Sequence, residues 1–215
     1  MTSKQPKKSQ KTASYHHGDL RAGLIDAATE IVEKDGVMAL SLRGVARLAG
    51  VSQTAPYHHF TDKEALLAAV AETGFQGLSA EMEKAEHHRL GGGERMVALG
   101  RAYVSFATSN PGRFRLMFGP LIREKLNYPD LLIASSRSLQ MIRAAVEQRR
   151  QDVGAKTGNV EADTMAAWSI VHGLATLLID SGFNPESMGT ATQDALVAHV
   201  TLALVSGLGL GGDMT

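Results

Sequence analysis

Leu20, Leu24, Ala27, Ala28 and Ile31 recur at steps of three and four, an apolar stripe that predicts a first helix stopped at Gly36. Ser41 can N-cap a second, short helix whose inner side is Leu42, Val45, Ala46 and Ala49, broken at Gly50. Ser52 can cap a third short helix ending near Phe60, with Val51 and Phe60 tucked inward. Thr61 and Glu64 have the spacing of a capping box, which opens a long fourth helix to about Glu86. Gly91, Gly92 and Gly93 make a stop. Beyond them the pattern predicts a helix over 94–109, a break at Asn110-Pro111, and a short helix through Phe114 and Met117 ended by Pro120. A helix follows from Pro129 to about Val153, where a first-turn proline is tolerated. Helix 161–181 opens on Glu161 and Asp163, and a last helix covers 192–205, with loops at 154–159 and 182–189. Period-two patterning is scarce, so the expected fold is all-α.

Composition narrows this picture. The 215 residues hold 22 Lys and Arg against 22 Asp and Glu, with no cysteine, so disulfide and thiolate chemistry are excluded. The first fourteen residues are polar, with Lys4, Lys7, Lys8 and Lys11 and no apolar core, so no secretory leader is expected. The stretches 166–179 and 197–210 are the most apolar, and both are interrupted by polar residues; no membrane span and a cytoplasmic location are expected. The neutral total conceals an uneven distribution. Residues 1–63 carry nine Lys and Arg against six acids, and residues 64–215 carry thirteen against sixteen. A basic front on an acidic body suits a polyanion, although the same lysines could simply solvate a loose tail.

The segment 41–67, SLRGVARLAGVSQTAPYHHFTDKEALL, carries the most information. Two short helices joined at a glycine behind a longer helix make a helix-turn-helix pattern. Gln53, Thr54, Tyr57 and His58 share one side of the second short helix, and that side is polar without being charged. Such a rod suits a DNA major groove: Gln53 can bond adenine, Thr54 a base or a phosphate, and Ala55 can touch a thymine methyl. Tyr57, His58 and His59 offer donors to phosphate oxygens, and Lys63 adds a cation. A helical hairpin using the same face for a protein partner is the alternative reading, and an enzyme in the second half is a third. For the latter there is no G-x-S-x-G, P-loop or H-E-x-x-H. The pairs His16-His17, His58-His59 and His87-His88 are adjacent residues that chelate poorly, so no metal and no cofactor is expected. Gly207–Gly212 fits G-x-G-x-x-G only formally, since no helix can follow it.

This segment resembles the TetR family of bacterial transcriptional repressors. The likeness rests on Leu20–Glu33, Ser41–Val51, Ser52–Phe60 with its Tyr57-His58-His59-Phe60 ending, Asp62-Lys63-Glu64 and Leu66-Leu67. It implies a flexible basic arm over 1–17, a three-helix helix-turn-helix domain over 18–78, and a C-terminal effector-binding and dimerisation domain over 79–215. By position, Gln53, Thr54 and Ala55 would approach bases, and Tyr57, His58, Lys63 and Arg43 would hold phosphates. Lys7, Lys8 and Lys11 resemble minor-groove arms. Trp168, His172 and Gly173, with the earlier Asn110-Pro111 and Phe114–Phe118, are similar to regulatory domains with a Trp-His-Gly signature. The resemblance implies a double-stranded DNA operator, a small-molecule effector, and a homodimer through about 161–181 and 192–206. Tyr103, Phe106, Phe114, Met117, Phe118, Met141, Trp168 and His172 are the candidate effector contacts. Trp168 also reads as a core anchor and His172 as a satisfied buried donor, and Gly173 would let another helix come close.

Overall fold

The computed structural model describes residues 19–86, 90–181 and 192–207. Among the described residues every regular element is helical: α1 Leu20–Asp35, α2 Leu42–Leu48, α3 Lys63–Ala85, α4 Gly92–Ser109, α5 Pro111–Phe118, α6 Pro129–Asp152, α7 Val160–Asp180 and α8 Gln193–Gly207. Three 3-10 turns join them, at Val37–Ala39, Ala55–His58 and Lys125–Asn127. The basic arm, the pairs His16-His17 and His87-His88, the loop over 182–189 and most of the glycine-rich tail lie outside the described residues.

Local chemistry explains the element ends. The Asp19 carboxylate accepts from the Ala22 amide (3.0 Å) to start α1, and Gly36, at φ +81°, ends it. α1 buries Leu24, Ala27, Ala28 and Val32, while Leu20, expected on the inner stripe, is exposed. Ser41 accepts from the Gly44 amide (3.1 Å) and starts α2 as expected. The capping box expected at Thr61 and Glu64 does not form. Asp62, one residue on, caps α3 by accepting from the Ala65 amide (2.8 Å), which frees Glu64 for a distant task. The α7 cap is Asn159, which accepts from the Glu161 and Ala162 amides (2.8 and 3.1 Å).

α3 is the beam of the molecule. It packs against α1 at its start and against α4, α5 and α6 along its length, and one buried apolar cluster runs from Leu24 to Val205. α4 sits at the centre of the body, against α3, α6, α7 and α8. Its first turn lies so close to α6 that a Cβ at Gly92 would collide with the Arg149 backbone and sit 2.7 Å from the Gln148 carbonyl carbon. Asp152 accepts from the Gly92 amide there (2.6 Å), and its bond from the Gln148 side chain, helped by this one, holds its carboxyl below the usual carboxylate range. α7 is long and apolar enough, by length and composition alone, to cross a bilayer, although polar residues interrupt it. It packs against α4, α6 and α8, and Met165 and Leu177 remain exposed. No described helix approaches Gly173, where an added Cβ would meet nothing within 4 Å. That face of α7 is open to a neighbour from outside the described residues.

Candidate nucleic-acid interface

α2 and the segment after it form a tight corner. Gly50 adopts φ +69°, a left-handed turn that side chains resist, and the Val51 amide donates back to the Ala46 carbonyl (3.0 Å). The α-helix expected over Ser52–Phe60 is a 3-10 turn over Ala55–His58. Pro56 is the physical reason: it has no amide to continue an α-helical ladder. The chain therefore closes shorter loops, with the Ala55 amide donating to Ser52 (3.0 Å), Tyr57 to Thr54 (3.1 Å) and His59 to Pro56 (3.0 Å). Ser52 does not cap a helix. Its hydroxyl lies 3.1 Å from that of Thr54 and fixes it on the outer side.

The outward face survives this change. Gln53, Thr54, Tyr57, His58 and His59 are exposed, Ala55 is half-buried, and Pro56 and Phe60 are buried beneath them. Val51 packs against the core at the edge. Arg43 is exposed on α2, and Lys63 is half-buried at the start of α3. Sequence reasoning missed two cations. Arg47, one helical turn from Arg43, lines the same groove as Arg43 and Gln53. Arg21 lies 5.6 Å from the Phe60 ring centroid, a cation over the aromatic face that anchors the rod. Among the described residues Arg43, Arg47 and Lys63 have no ion-pair partner, whereas Arg95, Arg101, Arg113, Arg115, Arg137, Arg143 and Arg150 all pair with carboxylates. Unpaired cations beside an uncharged hydrogen-bonding face are what a polyanion with readable edges requires.

The candidate effector contacts fall into separate places. Tyr103, buried on α4, holds its hydroxyl in a hydrogen bond with His172 Nδ1 (2.8 Å) and accepts from Trp168 Nε1 (3.2 Å). Around them Phe118 lies 4.6 Å and Phe114 5.3 Å from the His172 ring, centroid to centroid. Burial raises the Tyr103 hydroxyl above its ordinary range and lowers His172 below its own. Met117 belongs to the core, with Sδ 2.7 Å from where a Cβ would stand on Gly74. Phe106 lies against α3 near Gly77 and under the Arg113 guanidinium, and Met141 is half-buried on α6. Of the eight, only Tyr103 lines the apolar cavity enclosed by α4, α6, α7 and α8, whose other walls include Met96, Leu99, Gly100, Ala167, Val171 and Thr201.

The burial that lowers His172 should make the body sensitive to acid. With the folded imidazole held below its unfolded value of about 6.5, the unfolded chain binds more protons between the two values. The stabilisation from neutral His172 is therefore complete above about pH 6.5 and is lost as pH falls through the lower folded value. The thermal midpoint should drop on going from pH 7 to pH 5, and His172→Asn should shrink that drop. An unchanged pH profile in the variant would count against this role.

Two carboxylates tie the two regions together. Glu33, at the end of α1, accepts from the Gly112 and Arg113 amides (2.9 and 3.1 Å) and from Arg113 Nε (3.1 Å). Glu64, at the start of α3, accepts from the Arg123 and Glu124 amides (3.2 and 3.4 Å). The segment that carries Phe114 and Phe118 is thus fastened at both ends to the helices that support the outward rod.

Comparison with known proteins decides what this arrangement belongs to. Residues 24–70 match the family described as bacterial regulatory proteins, tetR family, and residues 96–204 match the tetracyclin repressor-like C-terminal domain. The chain belongs to the TetR family. A protein of unknown function from Rhodococcus sp. RHA1 has 35% sequence identity and a TM-score of 0.75, over 92% of this chain and 100% of that one. An uncharacterized HTH-type transcriptional regulator of Haemophilus influenzae is 28% identical over 186 residues, 86% of each chain. The uncharacterized HTH-type transcriptional regulator YobS of Bacillus subtilis is 33% identical over 91 residues, 42% of this chain, and the match spans about half of that relative (47%). As a TetR-family member the chain is a helix-turn-helix, DNA-binding transcriptional regulator, and its all-helical architecture is the one the family implies.

Proposed function

We propose that this TetR-family protein is a cytoplasmic, homodimeric repressor that a small-molecule effector releases from a palindromic operator, acting by binding alone without a chemical step. Residues 18–78 form the reading head, residues 79–215 the effector-binding and dimerising body, and residues 1–17 a basic arm. Each subunit places Gln53, Thr54 and Ala55 against base edges, with Tyr57, His58, His59, Lys63, Arg43 and Arg47 on phosphates. The observation that carries this reading is the exposed, uncharged face of residues 53–58, flanked by cations with no ion-pair partner among the described residues. The homodimer is supported by α7, of which only 28% of the most apolar window is buried in the subunit, together with exposed Met165, Leu177 and Leu202 on α7 and α8. Release by an effector is supported by the fastening of the 112–124 segment at both ends, which lets a shift in the body reach α1 and α3.

The test is operator affinity, on a duplex selected from random sequence, at several salt concentrations. Affinity should fall steeply with salt, because each phosphate neutralised by the protein sheds its counterions. Lys63→Ala should flatten the slope by about one unit, and Tyr57→Ala, which removes no charge, should weaken binding at every salt concentration. Salt-independent binding by the unaltered protein would remove the reading.

A further inference from the structure

Between α5 and α6 the chain makes an exposed turn that carries Arg123, Glu124 and Lys125. Two separate contacts lay this turn against the start of α3. The Glu64 carboxylate accepts from the Arg123 and Glu124 amides (3.2 and 3.4 Å). At the far end of the turn, burial raises the Tyr128 hydroxyl above its ordinary range, and the charges of Glu64 and Asp62 push it the same way. The backbone of Arg123 therefore sits beside Glu64, the residue that follows Lys63.

The cations of the turn are uncommitted. Among the described residues beyond α3, Arg123 is the one arginine whose guanidinium has no partner. Arg149 reaches the Val205 carbonyl (3.3 Å), and the others pair with carboxylates. Lys125, exposed two residues on, has no ion-pair partner among the described residues either. Residues 64–215 carry sixteen acids against thirteen Lys and Arg, so cations left without a carboxylate stand out in these surroundings. The nearest acids are engaged elsewhere: Asp62 caps α3 through the Ala65 amide (2.8 Å), and Glu64 holds the two amides of the turn. Glu124 stands between the two cations and leaves the turn positive.

We propose that Arg123 and Lys125 form a second DNA-contacting surface, supplied by the body outside the helix-turn-helix, which takes the phosphate backbone of the duplex on which the rod sits. The occupant follows from continuity. Lys63 is assigned a phosphate, its neighbour Glu64 holds the turn, and a strand presents a phosphate about every 3.4 Å of axis. The strand gripped at Lys63 runs on past the turn. What is recognised is the phosphodiester and not the base, since contacts to phosphate fix position and carry no sequence information. The proposal rests on the reading of the protein as an operator-binding regulator. It gives the body its own hold on the duplex, through a segment already fastened to α1 and α3.

The salt dependence of operator affinity, measured on the full-length protein, tests this. Arg123→Ala with Lys125→Ala removes two phosphate contacts and should flatten the logarithmic salt slope by about two units. Between about 50 and about 200 mM salt the parent should then lose about tenfold more affinity than the variant. The weakening should be equal on the selected operator and on a scrambled duplex, so the sequence preference is kept. Both side chains are exposed, and the variant should keep the parent's melting midpoint. Glu124→Gln, which removes the acid between the cations, should tighten binding. Lys156→Ala, at an exposed lysine in the 154–159 loop, is the control and should leave the slope unchanged. The proposal is overturned if the double variant keeps the parent's slope, if Glu124→Gln weakens binding, or if Lys156→Ala flattens the slope as much as Lys125→Ala does. A flat slope in the unaltered protein would remove the regulatory reading itself. A steep slope there that the double variant retains would remove only this surface.

Discussion

Phe60→Ala should cost about 3–5 kcal/mol of stability and abolish operator binding at 37 °C. Phe60 is 3% exposed and closes the rod: its amide donates to the Pro56 carbonyl (2.9 Å), its ring lies under Arg21, and its side chain joins the core cluster. Pro56 and Phe60 are the two inward anchors, four residues apart, that turn Gln53, Thr54 and Tyr57 outward. Truncating the larger one leaves a cavity and removes the reason for that orientation. The loss is large beside the roughly 5–15 kcal/mol that holds a typical domain folded. His59→Ala, at the exposed neighbour, should stay within about 0.5 kcal/mol of the parent. Urea unfolding of both variants checks this, and a Phe60→Ala protein melting with the parent would sink it.

Gly112→Ala is the second large effect. A Cβ at Gly112 would collide with the Val32 carbonyl oxygen and sit 2.9 Å from Glu33 Cα, both backbone atoms that cannot swing aside. α5 must then move off α1, which costs about 1–3 kcal/mol as overpacking. The move also loosens the Gly112 and Arg113 amides from Glu33, and charge-assisted bonds of that kind are the stronger class. The unfolding midpoint should fall, and hydrogen exchange at the Gly112 and Arg113 amides should quicken while the α7 amides keep their protection. Gly173→Ala makes the contrast: within the subunit its methyl meets nothing among the described residues, so it forces no movement of α5 off α1. Equal losses in the two variants would show that the α1–α5 contact is not what Gly112 protects.

Periodicity carried the fold because most helices here are amphipathic and punctuated by glycine, proline or an N-cap. The ends of α4, α5, α6 and α8 fall within two residues of where the pattern puts them. What periodicity missed has specific causes. Thr61-x-x-Glu64 and Asp62 compete for the same α3 start, and spacing alone cannot show that Glu64 is wanted by amides some sixty residues on. Pro56 stands in plain view in the sequence, yet its effect on the whole short rod appears only when the amides around it are followed to their partners. The outward face was readable because it depends on which residues are apolar, and Pro56 and Phe60 settle that. The cavity was not, because its wall is assembled from four helices between Met96 and Leu204. Aromatic and methionine residues draw attention in a sequence, whereas Gly100 and Thr201 have no local signature. Arg47 could have been found as the cation one turn beyond Arg43.

The Glu33 and Glu64 fastenings bear on how this protein can be recombined with its relatives. A hybrid that borrows the first seventy or so residues of one protein and the remainder of another would pair each carboxylate with amides shaped for a different acceptor. The cut would also fall inside α3. A working chimera should therefore transplant residues 110–124 along with 19–86, treating a stretch remote in sequence as part of the module that faces the duplex.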